Sequence, residues 1–147
     1  METIRFSSSV ELATAYVAAA GAVPTSETAA ITVKGLDVDS SATAEVSGNT
    51  QATLYINFTK GSLTNVSIKI YGSYLENPGS GDWYQEVVET DSTGVATLDA
   101  FSIVLTANAV VVYHFPIGAY KALKVTVTGS GTQTGGALTL NLGFRTN

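Results

Sequence analysis

The chain has no cysteine in its 147 residues, which excludes a disulfide framework, a thiolate metal site and a thiol nucleophile. It has one histidine, His114, and a zinc site built on it would have to be completed by carboxylates and water, a poor donor set for that metal. A structural strand histidine is the expectation. Charge is sparse too: Asp, Glu, Lys and Arg make up 13% of the chain, and the basic residues Arg5, Lys34, Lys60, Lys69, Lys121, Lys124 and Arg145 are scattered. With a formal net charge of −5 and no basic cluster, the chain lacks the footprint that phosphate contacts need, so nucleic acid is not an expected partner. No apolar run approaches the roughly 18 residues of a bilayer-spanning helix, and no membrane partner is expected. Val10 to Ala22 is a poor signal peptide, because Glu2 and Glu11 precede or interrupt it and Arg5 alone supplies the leading charge. It is read as part of the mature chain.

The residue sets that carry catalysis are missing as well. No Gly-x-Ser-x-Gly elbow occurs, and His114 has no nucleophile and orienting acid in a recognisable pattern. Gly79-Ser80-Gly81 and Gly129-Ser130-Gly131 continue into neither the dinucleotide fingerprint nor the Walker spacing, and read as loops between strands. Asp37-Val38-Asp39 begins like a calcium loop but lacks its glycine and closing Glu. Glu86 and Glu89, near Asp82 and Asp91, are an odd number of residues apart and so leave opposite faces of a regular strand, which suits a solvated edge better than a glycosidase acid–base pair. The expectation is a protein that is not an enzyme and needs no cofactor.

What is present is strand pattern. Leu54, Ile56 and Phe58 alternate with Tyr55, Asn57 and Thr59, and Val66, Ile68 and Ile70 alternate with Ser67, Lys69 and Tyr71. Lys60-Gly61-Ser62 lies between them, and the stretch Gln51 to Tyr74 reads as a central hairpin. Leu123, Val125 and Val127, then Leu138, Leu140 and Leu142, repeat the pattern and read as a closing hairpin through the Gly-rich segment 129–136. Further strands are expected over Ala30–Leu36, Ala42–Val46, Trp83–Glu89, Val95–Leu105 and Val110–Ile117. Ser9 to Pro24 fits either a short helix or an edge strand. Strands about 8–12 residues apart with no long amphipathic helix predict an all-β, single-domain antiparallel β-sandwich, jelly-roll-like, over residues 28–147, preceded by an N-terminal arm over residues 1–27.

Aromatic residues concentrate where two of these strands meet. Tyr71 and Tyr74 end one, Trp83 and Tyr84 begin the next, and pairing through the intervening loop brings the rings together at one end of a sheet. The cluster serves either as packing across strands or as a contact platform for sugar rings.

Asn57-Phe58-Thr59-Lys60-Gly61-Ser62-Leu63-Thr64, the alternating Val66 to Tyr71, a Gly-rich turn and Asp82-Trp83-Tyr84-Gln85-Glu86 resemble the small virion proteins of tailed bacteriophages of the head-decoration or auxiliary capsid type. The Tyr120 to Thr128 strand, its Gly-Ser-Gly-Thr turn and the Ala137 to Gly143 strand are similar to the end of such proteins, so the likeness extends over residues 51–144. The resemblance implies a β-sandwich located on the capsid surface of a virion, with the major capsid protein lattice as partner, a homo-oligomeric state with a trimer favoured, and no catalytic residue. The alternative reading is a carbohydrate- or receptor-binding module of a phage tail, with Tyr74, Trp83 and Tyr84 as its stacking platform.

Overall fold

The computed structural model describes residues 16–36, 49–91, 96–117 and 120–146. The expected strand Ala42–Val46 lies outside them, as do residues 1–15. Among the described residues eleven strands follow in chain order: β1 (Tyr16–Ala22), β2 (Thr28–Lys34), β3 (Asn49–Thr59), β4 (Leu63–Ser73), β5 (Tyr84–Gln85), β6 (Val87–Asp91), β7 (Ala96–Ala100), β8 (Ser102–Leu105), β9 (Ala109–Pro116), β10 (Ala122–Gly131) and β11 (Ala137–Thr146). Sheet A has the order β1-β11-β3-β9, sheet B the order β2-β10-β4-β5 with β8 also on β4, and every pairing is antiparallel.

The two sheets face each other as a sandwich, and the chain changes sheet at almost every connection among the sandwich strands. Distant segments such as β1 and β11 thereby become neighbours, the double-sheet arrangement of a jelly roll. The expected inward rows are buried: Leu54, Ile56 and Phe58 from sheet A against Val66, Ile68, Ile70, Leu123, Val125 and Val127 from sheet B. Each such side chain contributes about 1.5–3 kcal/mol of burial.

Neither expected hairpin forms. β3 and β4 lie in opposite sheets, as do β10 and β11, so both links are arches over the end of the core. Alternation marks which face of a strand is buried, and it is equally satisfied by side-by-side pairing and by facing across the core. The three residues Lys60 to Ser62, at up to about 3.3–3.6 Å each, suffice to cross the roughly 10 Å between packed sheets. The lateral positions beside β3 are taken by β11 and β9, and those beside β4 by β10, β5 and β8.

The two arches brace one another. Ser62 N–H donates to the Thr134 carbonyl at 3.0 Å, and Gly61, at φ 57°, leaves no room for a Cβ, which would lie 2.4 Å from that same oxygen.

Tyr16–Ala22 is an edge strand, with Tyr16 opposite Gly143 and Ala22 opposite Ala137. The alanine run that suits a helix in isolation is drawn into the sheet by its neighbour, since tertiary pairing overrides weak propensity. At the opposite edge, the expected strands Trp83–Glu89 and Val95–Leu105 are each divided. β5 and β8 share the edge of sheet B, and the β6–β7 ribbon rises between them. Its root is pinned by Glu86 N–H to the Ile70 carbonyl and Phe101 N–H to the Glu86 carbonyl, both 2.9 Å.

Candidate functional site

Tyr71, Tyr74, Trp83 and Tyr84 are brought to one region, as two pairs. β4 and β5 pair with Tyr71 opposite Gln85 and Gly72 opposite Tyr84, so Tyr71 and Tyr84 leave opposite faces of the strand pair. Tyr74 and Tyr84 form one pair, ring centroids 6.1 Å apart and planes tilted by 30°, both rings exposed. Tyr71 and Trp83, half-buried, flank the Lys124 ammonium, which lies 4.8 Å from the first ring centroid and 4.9 Å from the second. Lys124 stands directly across from Tyr71 on β10, and its cation occupies ring faces that a ligand would otherwise stack on.

The charged groups on the outer face of sheet B are partnered within the chain, while Val104 of β8 stands 53% exposed there. The Tyr71 hydroxyl donates to Glu27 Oε2 at 2.7 Å, the Thr126 hydroxyl to the same oxygen at 2.8 Å, and Lys69 Nζ lies 3.7 Å from Oε1. The Tyr71 and Thr126 hydrogen bonds hold the Glu27 carboxyl below its ordinary range against a small opposing effect of burial. Burial, then the bond to Glu27, pushes the Tyr71 phenol up to about 12. Lys34 donates to Asn77 Oδ1 at 3.3 Å, so each of the three strand lysines, Lys34, Lys69 and Lys124, has a partner within the chain.

Sheet A is different in kind. Its four strands contain a single charged residue, Arg145. The outward rows run across the sheet as Ala18, Asn141, Tyr55, Val112 and as Ala20, Thr139, Asn57, Val110. Val110 is 78% exposed, Val112 51% and Tyr55 41%, three apolar side chains turned to solvent on the neighbouring strands β3 and β9. His114 belongs to the same face, exposed, with Nδ1 2.9 Å from the Thr53 hydroxyl oxygen. Among the described residues no group of three or more His, Cys, Asp or Glu converges on a point that would hold a metal ion.

A cleft of about 290 Å³ opens at the foot of the β6–β7 ribbon, between the edge of sheet B and β9. Phe101, Tyr113 and Phe115 form a stacked ladder along it, with centroids 5.1 and 5.7 Å apart, and Val87 and Val88 form the ribbon side. Glu86 is the charged residue of the lining. It accepts a hydrogen bond from Tyr120, whose phenol is pushed up to about 12 by burial and then by that bond. Burial, with the Glu86 charge adding to it, also raises Tyr113. The Tyr120 ring lies against Gly72, where a Cβ would fall 2.4 Å from it.

Glu27 and Lys124, the cleft and the uncharged face are not apparent from motif searching. The face does leave a signal: the four strands of sheet A carry no Asp, Glu or Lys, although the short strands β5 and β8 of sheet B lack them too. Glu27 and Lys124 are brought to Tyr71 by the order of strands in sheet B, which no local pattern encodes.

No protein-family model matches the chain, and no curated protein matches it. Among solved structures, 86% of the chain is weakly similar to a chain in the structure of infectious bursal disease virus Gx strain, at 10% identity and a TM-score of 0.29, and the match spans 29% of that chain.

Proposed function

We propose that the protein is a structural virion component of the head-decoration or auxiliary capsid type, which self-associates and seats on a shell of major capsid protein through the outer face of sheet A. The carrying observation is that face: Tyr55, Val110 and Val112 stand exposed on strands with one charged residue between them. Copies that each carry a net charge of −5 repel one another over most orientations, and an uncharged sheet is where they meet without opposing like charges. The jelly-roll order supports the same reading as a rigid scaffold for such a face. Light scattering of the purified chain is expected to give an oligomer, and co-sedimentation with shells of the capsid protein from the same genome is expected to recover it in the pellet. Val110→Glu changes a residue that is 78% exposed, so folding is preserved while both associations are lost. A strict monomer that leaves shells unbound overturns the proposal.

The exposed Tyr74 and Tyr84 pair favours a second reading, a carbohydrate- or receptor-binding module, because tilted rings open to solvent are available to sugar faces. Trp83 is a poorer candidate for that platform, with Lys124 already over its ring. A glycan array without hits, or hits that persist in Tyr84→Ala, removes this reading.

A further inference from the structure

We infer that the cleft beneath the β6–β7 ribbon is a receptor for an arginine side chain presented by an extended segment of a partner protein. The inference does not rest on the uncharged face of sheet A and holds equally for a monomer.

The ribbon is the least self-sufficient part of the fold. Two strands alone are marginal in water, and backbone hydrogen bonds at Glu86 and Phe101 join this pair to the sandwich at its root. It exposes Val87, Val88 and Leu98 to solvent. β6 pairs with β7 along one edge and with no other strand among the described residues along the other, so its backbone can take up an added strand. Consecutive Val87 and Val88 leave opposite faces of β6, and every second side chain of such a strand falls on the ribbon face that borders the cleft.

The cleft's chemistry selects among side chains. Its volume of about 290 Å³ corresponds to about ten waters at roughly 30 Å³ each, room for one long side chain rather than a folded element. The walls are apolar and aromatic, and the charge they hold is the Glu86 carboxylate. A carboxylate accepts several hydrogen bonds, so the bond from Tyr120 leaves acceptor capacity for a second donor. A planar cation matches both demands: a guanidinium stacks on aromatic faces and bonds a carboxylate with two parallel donors, where an ammonium supplies a point charge.

Charge over a longer range points the same way. No Lys or Arg occurs between Lys69 and Lys121, whereas Glu76, Asp82, Glu86, Glu89, Asp91 and Asp99 all fall there. The cleft and ribbon belong to this stretch, so a basic segment is steered toward them and an acidic one is turned away.

The test uses the full chain and the peptide acetyl-Thr-Val-Arg-Val-Thr-amide, with versions carrying citrulline or lysine at the central position, followed by amide and methyl NMR shifts. The arginine peptide is expected to shift Val87, Val88, Phe101 and Tyr113. The citrulline peptide, isosteric but neutral, is expected to bind at least tenfold more weakly, and the lysine peptide to fall between. Glu86→Gln should weaken the arginine peptide about tenfold, and Val88→Trp, at the exposed mouth, should block it. Unchanged far shifts and thermal midpoint show that each variant is folded. Equal binding of the citrulline peptide, shifts centred elsewhere, or no binding at all overturns the inference.

Discussion

Glu27 shows how one surface residue ties the chemistry of two strands together. Its carboxylate accepts from Tyr71 on β4 and Thr126 on β10 while Lys69 stands nearby, and the carboxyl is held below its ordinary 4.5. A depressed folded-state value means that the native chain favours the ionised form, so the stabilisation is present above the ordinary value and is lost as pH falls through the lowered one. With Glu27 40% exposed, solvent screening reduces the charged hydrogen bonds to about 1 kcal/mol or less in total. Glu27→Gln is expected to lower the unfolding free energy from urea denaturation at pH 7 by that amount and to flatten the acid limb of the stability–pH curve; identical limbs in both proteins would refute this. Tyr71 and Tyr120 act at the other end of the scale. Both phenols are raised from 10 to about 12, so the native state holds protons that the unfolded chain releases, and stability falls as pH rises from about 10 to about 12. Phenolate absorbance should show two late-titrating groups, one of which disappears in Tyr71→Phe while that of Tyr120 stays, and a titration that is unchanged by the substitution contradicts the assignment.

Among the elements, the arches are where reading the sequence and seeing the fold part company. Leu54 to Phe58 and Val66 to Ile70 declare their buried faces by alternation, and those faces are buried. Which sheet each strand joins is decided by β9, β10 and β11, segments far along the chain, so Lys60-Gly61-Ser62 reads the same for a hairpin and an arch. The division of the β5 to β8 region was written more faintly. Glu86-Val87-Val88 breaks the two-residue period at the point where the chain leaves sheet B, and Phe101 is where it returns. The aromatic site was legible as a neighbourhood because Tyr71 and Tyr84 sit on strands linked by one loop; its division into two pairs depends on the register and on Lys124. The arches also yield a prediction. Gly61 has a left-handed φ of 57° and meets the backbone of 134–136 from the other arch. Alanine there adds the left-handed cost of roughly 1–2 kcal/mol to an overpacking cost of roughly 1–3 kcal/mol, because neither arch can retreat without moving a strand. Gly61→Ala should therefore lower unfolding stability by about 2–5 kcal/mol in chemical denaturation. A loss below about 1 kcal/mol would mean that the arches do not brace each other.

For the whole molecule, the partition of charge between the two outer faces makes self-association testable without knowing the partner. Sheet B's face holds Lys34, Lys69 and Lys124 in contacts with Asn77, Glu27 and the Tyr71 and Trp83 rings, whereas sheet A's strands carry Arg145 alone. If copies met through sheet B, added salt would screen the ion pairs and weaken the oligomer. If they meet through sheet A, the contact is apolar and salt acts on the mutual repulsion of chains that each bear −5. That repulsion reaches about 30 Å at 0.01 M salt and about 3 Å at 1 M. Association through sheet A is therefore expected to tighten severalfold between those limits, as followed by sedimentation velocity, and Tyr55→Glu or Val112→Glu should abolish it at every salt concentration. An oligomer that loosens as salt is added, or one indifferent to both substitutions, would assign the contact to another face and leave the exposed valines of β9 without the role proposed for them.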